Sequence, residues 1–593
     1  MTLIKKWLAV VSLGLLAACG GGDDEQADVF GVVSTQGNFS ILSEAINTAG
    51  LRSALTGDGP YTLFAPTDAA FAALLTELGI SKQQLLADRA LLTAVLTYHV
   101  LPAKVERAAV PLGRAITTLQ GGIFTVSSAS GALNINDGRN RSARITATDT
   151  QASNGVVHTI DRVLLPANRN IVQTAQALPQ FSILVEAVLA ANLQGALAGA
   201  GPLTVFAPTN DAFAALLAEL GLTKQQLLAN VPLLTRVLTY HVVNGRALRS
   251  DIVPGQAITS LQGGTLTVDA MLRITDQRNR VSQIASTDVL ATNGVIHVVN
   301  RVILPLPAEN IVQTALAAPQ FSILVEAVQA AGLANALSAP GPLTVFAPTN
   351  AAFTALLGEL GVTKAQLLAN VPLLTRVLTY HVLNGRVLRS QVPVDRDITT
   401  LQGGVFSVGS DLVITDARVR RAGITATDTF ASNGVIHTID RVLLPLPAEN
   451  IVQTALAAPQ FSILVEAIQA AGLVNALSAP GPLTVFAPTN NAFAALLAEL
   501  GISKQALLAN VPLLTRVLTY HVVPGRQVSG NVVANAVNGQ PFTTLQGATF
   551  SVALSPLRII DSRGRSAGIT ATDTFTSNGV IHTLDRVILP PAN

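Results

Sequence analysis

One stretch recurs four times in this chain, at Tyr61 to Phe71, Leu203 to Phe213, Leu343 to Phe353 and Leu483 to Phe493. Within it Phe206, Phe346 and Phe486 are spaced by 140 residues, and Phe64 precedes Phe206 by 142. That period is too long for a solenoid unit and right for an independent domain. The chain therefore reads as four copies of one domain behind a short leader, which agrees with the domain count that 593 residues allow. In the third copy Leu343 to Phe346 is an apolar, β-branched run, Pro348 cannot continue a ladder, and Thr349 or Asn350 can cap a helix beginning at Ala351. The element is strand, tight turn, helix.

The rest of the third copy extends the pattern. Asn310 caps a first helix that Pro319 stops, and a second follows Ser322 with an apolar stripe closed by Gly332. After the signature, Phe353, Leu356, Leu357 and Leu360 mark one helix face that Gly361 ends, Thr363 with Gln366 forms a capping box, and Asn370 with Pro372 starts another helix. That last helix carries Leu374, Val377 and Leu378, with His381 next on the same stripe. The second half changes character. Ile398 to Val408, Leu412 to Thr415, Ile424 to Thr429 and Val435 to Leu444 are β-branched runs, and Asn433-Gly434 signals a hairpin before the last of them. Helices first and strands afterwards predict an α+β domain. Pro-containing joints such as Leu304-Pro-Leu-Pro-Ala-Glu-Asn310 favour extended linkers, so a semi-rigid string of beads is expected.

Charged residues are only 12% of the chain and the mean hydropathy is +0.47, yet no apolar run beyond the N-terminus approaches the roughly 18 residues that a membrane span needs. A net charge of +2 and 4% aromatic residues give no basis for nucleic-acid binding. Lys5 and Lys6 precede an apolar segment from Trp7 to Ala18 with the charge and length of a secretory signal, so residues 1–18 are expected to be removed. The boundary Leu16-Ala17-Ala18-Cys19 resembles the lipobox of bacterial lipoproteins. That resemblance implies a lipidated Cys19, the only cysteine, and a membrane contact through the lipid anchor, with residues 19–27 as a tether. Gly20 in place of an aspartate favours the outer membrane on the same resemblance.

Three motifs recur in fixed order: the signature, a Thr-Tyr-His-Val tetrapeptide (Thr97 to Val100, Thr239 to Val242, Thr379 to Val382, Thr519 to Val522), and an Asn-Gly-Val-x-His strand. On these motifs each copy resembles a fasciclin-like domain, over residues 28–166, 169–305, 309–445 and 449–590. The resemblance implies a β-sandwich-like core wrapped by helices. It also implies adhesion, matrix attachment or extracellular recognition. Copy one departs with Asp68 where the others have Asn210, Asn350 and Asn490. Copy two has Asn300 where the others have Asp161, Asp440 and Asp585, and copy four carries an insertion around Val528 to Pro541.

Candidate chemistry sits in three constellations. The first is the histidines, all at two positions per copy: His99 with His158, His241 with His297, His381 with His437, and His521 with His582. They lack a third ligand at metal-site spacing, and the periodicity predicts structural, hydrogen-bonded histidines, so no metal and no cofactor is expected. Second, the Tyr-His pairs Tyr98/His99, Tyr240/His241, Tyr380/His381 and Tyr520/His521 are implied by the resemblance to recognise a cell-surface partner, while helical spacing predicts burial with the hydroxyl bonded. Third, Asp-x-Arg-x-Arg recurs in polar turns. Arg139 and Arg141, Arg278 and Arg280, Arg418 and Arg420, and Arg563 and Arg565 are candidates for contact with an anionic polymer by avidity, against solvated turn arginines. No nucleophile elbow or phosphate-cradling loop supports catalysis, and the lone Asp149, Asp288, Asp428 and Asp573 read as turn formers.

Together these residues point to a non-enzymatic, envelope-anchored multivalent binder of a matrix or cell-surface protein or polysaccharide, acting in adhesion or biofilm contacts. A periplasm-facing carbohydrate or small-ligand binder is the alternative.

Overall fold

The computed structural model describes residues 26–592, so the leader and Cys19 lie outside the described residues. The described chain falls into two compact units, one ending at Leu306 and one starting at Pro307, each holding two repeats.

In the third repeat the helices come first: α1 (Ile311–Leu316), α2 (Ser322–Ala330) and α3 (Ala334–Ser338). The signature follows as β1 (Leu343–Pro348) and α4 (Asn350–Leu360), then α5 (Lys364–Ala369) and α6 (Val371–Tyr380). Local chemistry sets these boundaries. The Thr349 side chain accepts from Ala352 N, Gly361 closes α4 in the left-handed region at φ 64°, and Thr363 and Gln366 form the reciprocal capping box. Asn350 caps a different helix: its Oδ1 accepts from Ile323 N at 3.0 Å, at the start of α2. In the first repeat Asp68 does the same work for Ile41 N at 2.8 Å, so that departure leaves the cap intact.

The strands are β2 (Val382–Asn384), β3 (Asp397–Thr399), β4 (Val405–Val408), β5 (Val413–Thr415), β6 (Arg421–Ala431) and β7 (Gly434–Ile439). They order as β2-β1-β7-β6-β5-β4-β3, and the same seven-stranded order appears in all four repeats. β1 and β7 run parallel, with Phe346 opposite His437. The long β6 changes partner along its length: Arg421 to Gly423 pair with β5, and Ile424 to Ala431 pair with β7 across two register shifts. The sheet thus bends at β6 into two halves. Phe346 and Ile439 from one half meet Phe406, Val408 and Ile414 from the other in one buried cluster, the sandwich-like core. The outer face of the first half, with Val345, Ala347 and Ile436, is covered by Phe353, Leu356, Leu374 and Val377 of the helices.

Two β-branched runs behave differently from their expected extents. Ile398 to Val408 divides into β3 and β4 around a tight turn in which Thr400 N donates to Gly404 O at 2.9 Å. Val435 to Leu444 leaves the ladder after Ile439, yet Val442, Leu443 and Leu444 are buried. Buried backbone outside a ladder must find other partners.

Within the signature, Thr344 is fully buried. Its Oγ1 donates to Gly385 O at 2.8 Å and accepts from Val387 N at 2.9 Å, pinning the loop after β2 to β1. Thr344→Val, equal in shape but without the hydroxyl, is expected to destabilise the third repeat by about 1 to 3 kcal/mol, because a buried amide loses its acceptor. Urea unfolding followed by domain-resolved hydrogen exchange checks this. An unchanged protection pattern would assign the loop's anchorage elsewhere.

Candidate functional site

The buried tail after β7 gathers the motifs into one place. Leu443 N donates to His381 Nε2 at 2.9 Å, and Leu444 N donates to Asp416 Oδ2 at 2.9 Å. Both side chains stand in for a missing strand. The same pair of bonds holds Leu164 and Leu165 on His99 and Asp137, Ile303 and Leu304 on His241 and Asp276, and Ile588 and Leu589 on His521 and Asp561. The tetrapeptide histidine and the Asp of Asp-x-Arg-x-Arg, far apart in sequence, therefore serve consecutive amides of the domain's exit segment.

Each tetrapeptide histidine is locked as a neutral ring. Nδ1 of His381 lies 2.7 Å from Val377 O, one turn back on α6, so it carries the proton, while Nε2 accepts from Leu443. Burial lowers the pKa of His99, His241, His381 and His521 to about 4, against the partial offset of the α6 carbonyl that each ring donates to. The tyrosines are fully buried. Tyr240 donates its hydroxyl proton to Thr265 O at 2.7 Å and accepts from Gln277 N at 3.1 Å, and Tyr380 accepts from Ala417 N at 2.9 Å. The tyrosine thereby fastens α6 to β4 and to the Asp-x-Arg-x-Arg turn. In this conformation Tyr98, Tyr240, Tyr380, Tyr520 and their histidines present no surface of their own.

The second histidine of each repeat sits in β7 and joins two loops. His437 Nε2 lies 2.9 Å from Val387 O, and its Nδ1 accepts from Asp428 N at 3.3 Å. Asp428 occupies a left-handed bulge in β6 at φ 59°, and its carboxylate accepts from Arg389 N at 2.8 Å. Asp149, Asp288 and Asp573 repeat this arrangement. Among the described residues no group of three or more His, Cys, Asp or Glu is placed to hold a metal ion.

The arginines are divided by position. The second of each pair is largely buried, with a side chain 12 to 16% exposed, and reaches a glutamate on α4 or its counterpart: Arg141 to Glu77, Arg280 to Glu219, Arg420 to Glu359 and Arg565 to Glu499. The first of each pair donates Nε to the exit carbonyl in three repeats, Arg278 to Pro305, Arg418 to Pro445 and Arg563 to Pro590, at 2.8 to 2.9 Å. Arg139 makes no such bond. All but the exposed Arg563 are partly buried in the fold and do not form a row of solvated side chains.

Two features lie outside the three candidate constellations. Asn433 of the Asn-Gly hairpin is buried, its Oδ1 accepting from Ile311 N at 2.9 Å and its Nδ2 donating to Leu337 O and Ala339 O at 2.8 Å, so it ties α1 and α3 to the hairpin. A leucine in the turn between β3 and β4, Leu119, Leu261, Leu401 or Leu545, is 44 to 48% exposed in every repeat. This turn is fastened to the end of the tetrapeptide helix: Leu401 N donates to Val382 O at 2.7 Å and Gln402 N to Thr379 O at 3.2 Å. Its exact recurrence in Thr/Ser-Leu-Gln-Gly was the available signal.

A profile of the fasciclin domain matches residues 37–166, 179–305, 319–445 and 459–590. Over 554 residues the chain is 32% identical to transforming growth factor-beta-induced protein ig-h3 of Sus scrofa, a match covering 92% of this chain and 75% of that protein. Human periostin is 26% identical over 548 residues, 91% of this chain and 61% of periostin. Protein sll1483 of a Synechocystis strain is 45% identical over 145 residues, 24% of this chain and 75% of its own length.

Proposed function

Because this chain belongs to the fasciclin domain family, with four copies in tandem, we propose that it is a non-enzymatic, envelope-anchored adhesion protein that binds matrix or cell-surface polymers multivalently. The observation that carries this reading is repetition of a surface. The tetrapeptide, whose own side chains are spent inside the fold, holds the same half-exposed leucine outward in all four repeats. Single contacts of that size are weak, and linked copies gain through effective concentration. Tyr98, Tyr240, Tyr380, Tyr520 and the histidines beside them act in this reading by positioning that turn. The apolar cavities beside His241 and His381, about 30 Å³ each, are far too small to enclose a ligand, so the core around the tetrapeptide is packing and not a binding pocket. Cys19 supplies the lipid anchor, and the outer membrane is the proposed location.

Binding of the purified chain to immobilised matrix proteins and envelope polysaccharides tests the reading. Changing Leu119, Leu261, Leu401 and Leu545 together to Ser is expected to weaken retention at least tenfold, while any one change costs less than threefold. Undiminished retention in the fourfold variant sinks the leucine surface, and absence of binding to every polymer sinks adhesion itself.

A further inference from the structure

The first and second repeats share one compact unit and touch directly. Asn140, in the left-handed region at φ 63°, lays its side-chain amide along the backbone of Leu290 in the second repeat. Its Nδ2 donates to Leu290 O at 3.1 Å and its Oδ1 accepts from Leu290 N at 2.6 Å, while Ile123 of the first repeat packs against Leu290 and Val295. Beside this contact lies a cleft of about 760 Å³, lined by residues of both repeats.

Three arginines line the cleft: Arg139, Arg141 and Arg169. Arg141 is neutralised by Glu77 and Asp137. Arg139 is not. Its Nε is buried without an acceptor, and neither its guanidinium nor that of Arg169 has a hydrogen-bond or ion-pair partner among the described residues.

The linker after the first repeat also differs. From Pro166 to Asn170 it is one residue shorter than from Pro305 to Asn310, and it lies so close over Gly138 that a Cβ there would stand 2.2 Å from Ala167 N. The bond to the exit carbonyl that Arg278, Arg418 and Arg563 make is missing at Arg139. The first repeat also has Ala94 where Arg236, Arg376 and Arg516 hold the next exit carbonyl in the other repeats.

We propose that the cleft between the first and second repeats binds an acidic saccharide, its carboxylate or sulfate held between Arg139 and Arg169 and a sugar face resting on Leu178 and Val289. Arginine suits a planar or tetrahedral oxyanion through paired N–H donors, and Leu178 and Val289 supply the apolar floor that sugar C–H groups pack on. The volume lies within the range of sites that enclose drug-sized ligands. The inference deepens the adhesive reading by naming a polymer class, and rests on it for what the bound saccharide does.

Titration calorimetry of the purified four-repeat chain tests the site, with trigalacturonate, a sulfated disaccharide and neutral trigalactose as probes. One acidic saccharide per chain is expected, with no heat from the neutral one. Arg139→Gln with Arg169→Gln is expected to weaken binding at least tenfold. Because neither guanidinium has a partner in the fold, that variant keeps its structure, which circular dichroism checks. Arg114→Gln with Arg421→Gln removes the same charge from exposed positions and is expected to change binding less than twofold. Whichever acidic probe binds names the oxyanion. Absence of binding by both, equal binding of trigalactose, or equal weakening by the two double variants overturns the site. Retention on polymers that survives Arg139→Gln with Arg169→Gln would leave multivalent adhesion standing.

Discussion

Asp416→Ala is expected to cost the third repeat about 4 kcal/mol and to make it open far more often than its neighbours, which keep their stability. The buried carboxylate accepts from Arg418 N, Arg420 N and Leu444 N, each at 2.9 Å, and faces the Arg420 guanidinium at 3.7 Å. Burial raises its pKa, and those three amides and Arg420 pull it back down. Alanine would strand three amides, that of Leu444 fully buried, and leave Arg420 with Glu359 and the Val442 carbonyl. Breaking a buried, hydrogen-bonded ion pair costs roughly 3 to 5 kcal/mol, a large part of a domain's usual 5 to 15. Hydrogen exchange read repeat by repeat provides the measurement. Protection should fall across β1 and β7 of the third repeat. Loss confined to the turn at 416–420 would show that the tail's capture contributes little.

Acidification should unfold all four repeats by one mechanism. The tetrapeptide histidines take up a proton near pH 6.5 when unfolded and near 4 when folded. Between those values the unfolded chain binds more protons, so stability rises with pH. The contribution is complete above pH 6.5 and is lost as pH falls toward 4, on the order of 3 kcal/mol per repeat. The geometry gives the same sign independently, since protonating Nε2 of His381 would set N–H against the N–H of Leu443. The β7 histidines His297, His437 and His582 are shifted down by burial and act in the same sense. Asp276 and Asp416, shifted up by burial, oppose it toward the acid end. Among the groups facing these rings, Asp137 and Asp561 favour the charged form, and Arg141 and Arg280 disfavour it. Urea midpoints should drop steadily between pH 6.5 and 4.5, and a level profile from pH 7 to 5 would contradict the neutral-histidine clamp.

The caps and stops of the third repeat were readable because their partners sit three or four residues away. Thr349, Gly361, the Thr363/Gln366 box and Asn370 all fall where the periodicity places them. Less legible was where β-branched runs stop being strands. Val442 to Leu444 has the composition of a ladder, but its amides are taken by His381 and Asp416, so propensity overstated the strand. The candidate arginines were legible as a motif and not as an arrangement. A turn sequence cannot say that Arg420 reaches a glutamate 61 positions earlier.

The sequence by itself determined the four repeats, the order of helices before strands, the helix ends and the burial of the Tyr-His stripe, because periodicity and capping are properties of neighbouring residues. Only the tertiary structure decided that β1 lies between β2 and β7, that a histidine and an aspartate replace a strand for the exit segment, and that Arg139 alone among its counterparts is turned into a cleft. Those outcomes depend on hydrogen bonds spanning 28 to 62 positions. Only packing of the whole chain selects partners at that distance.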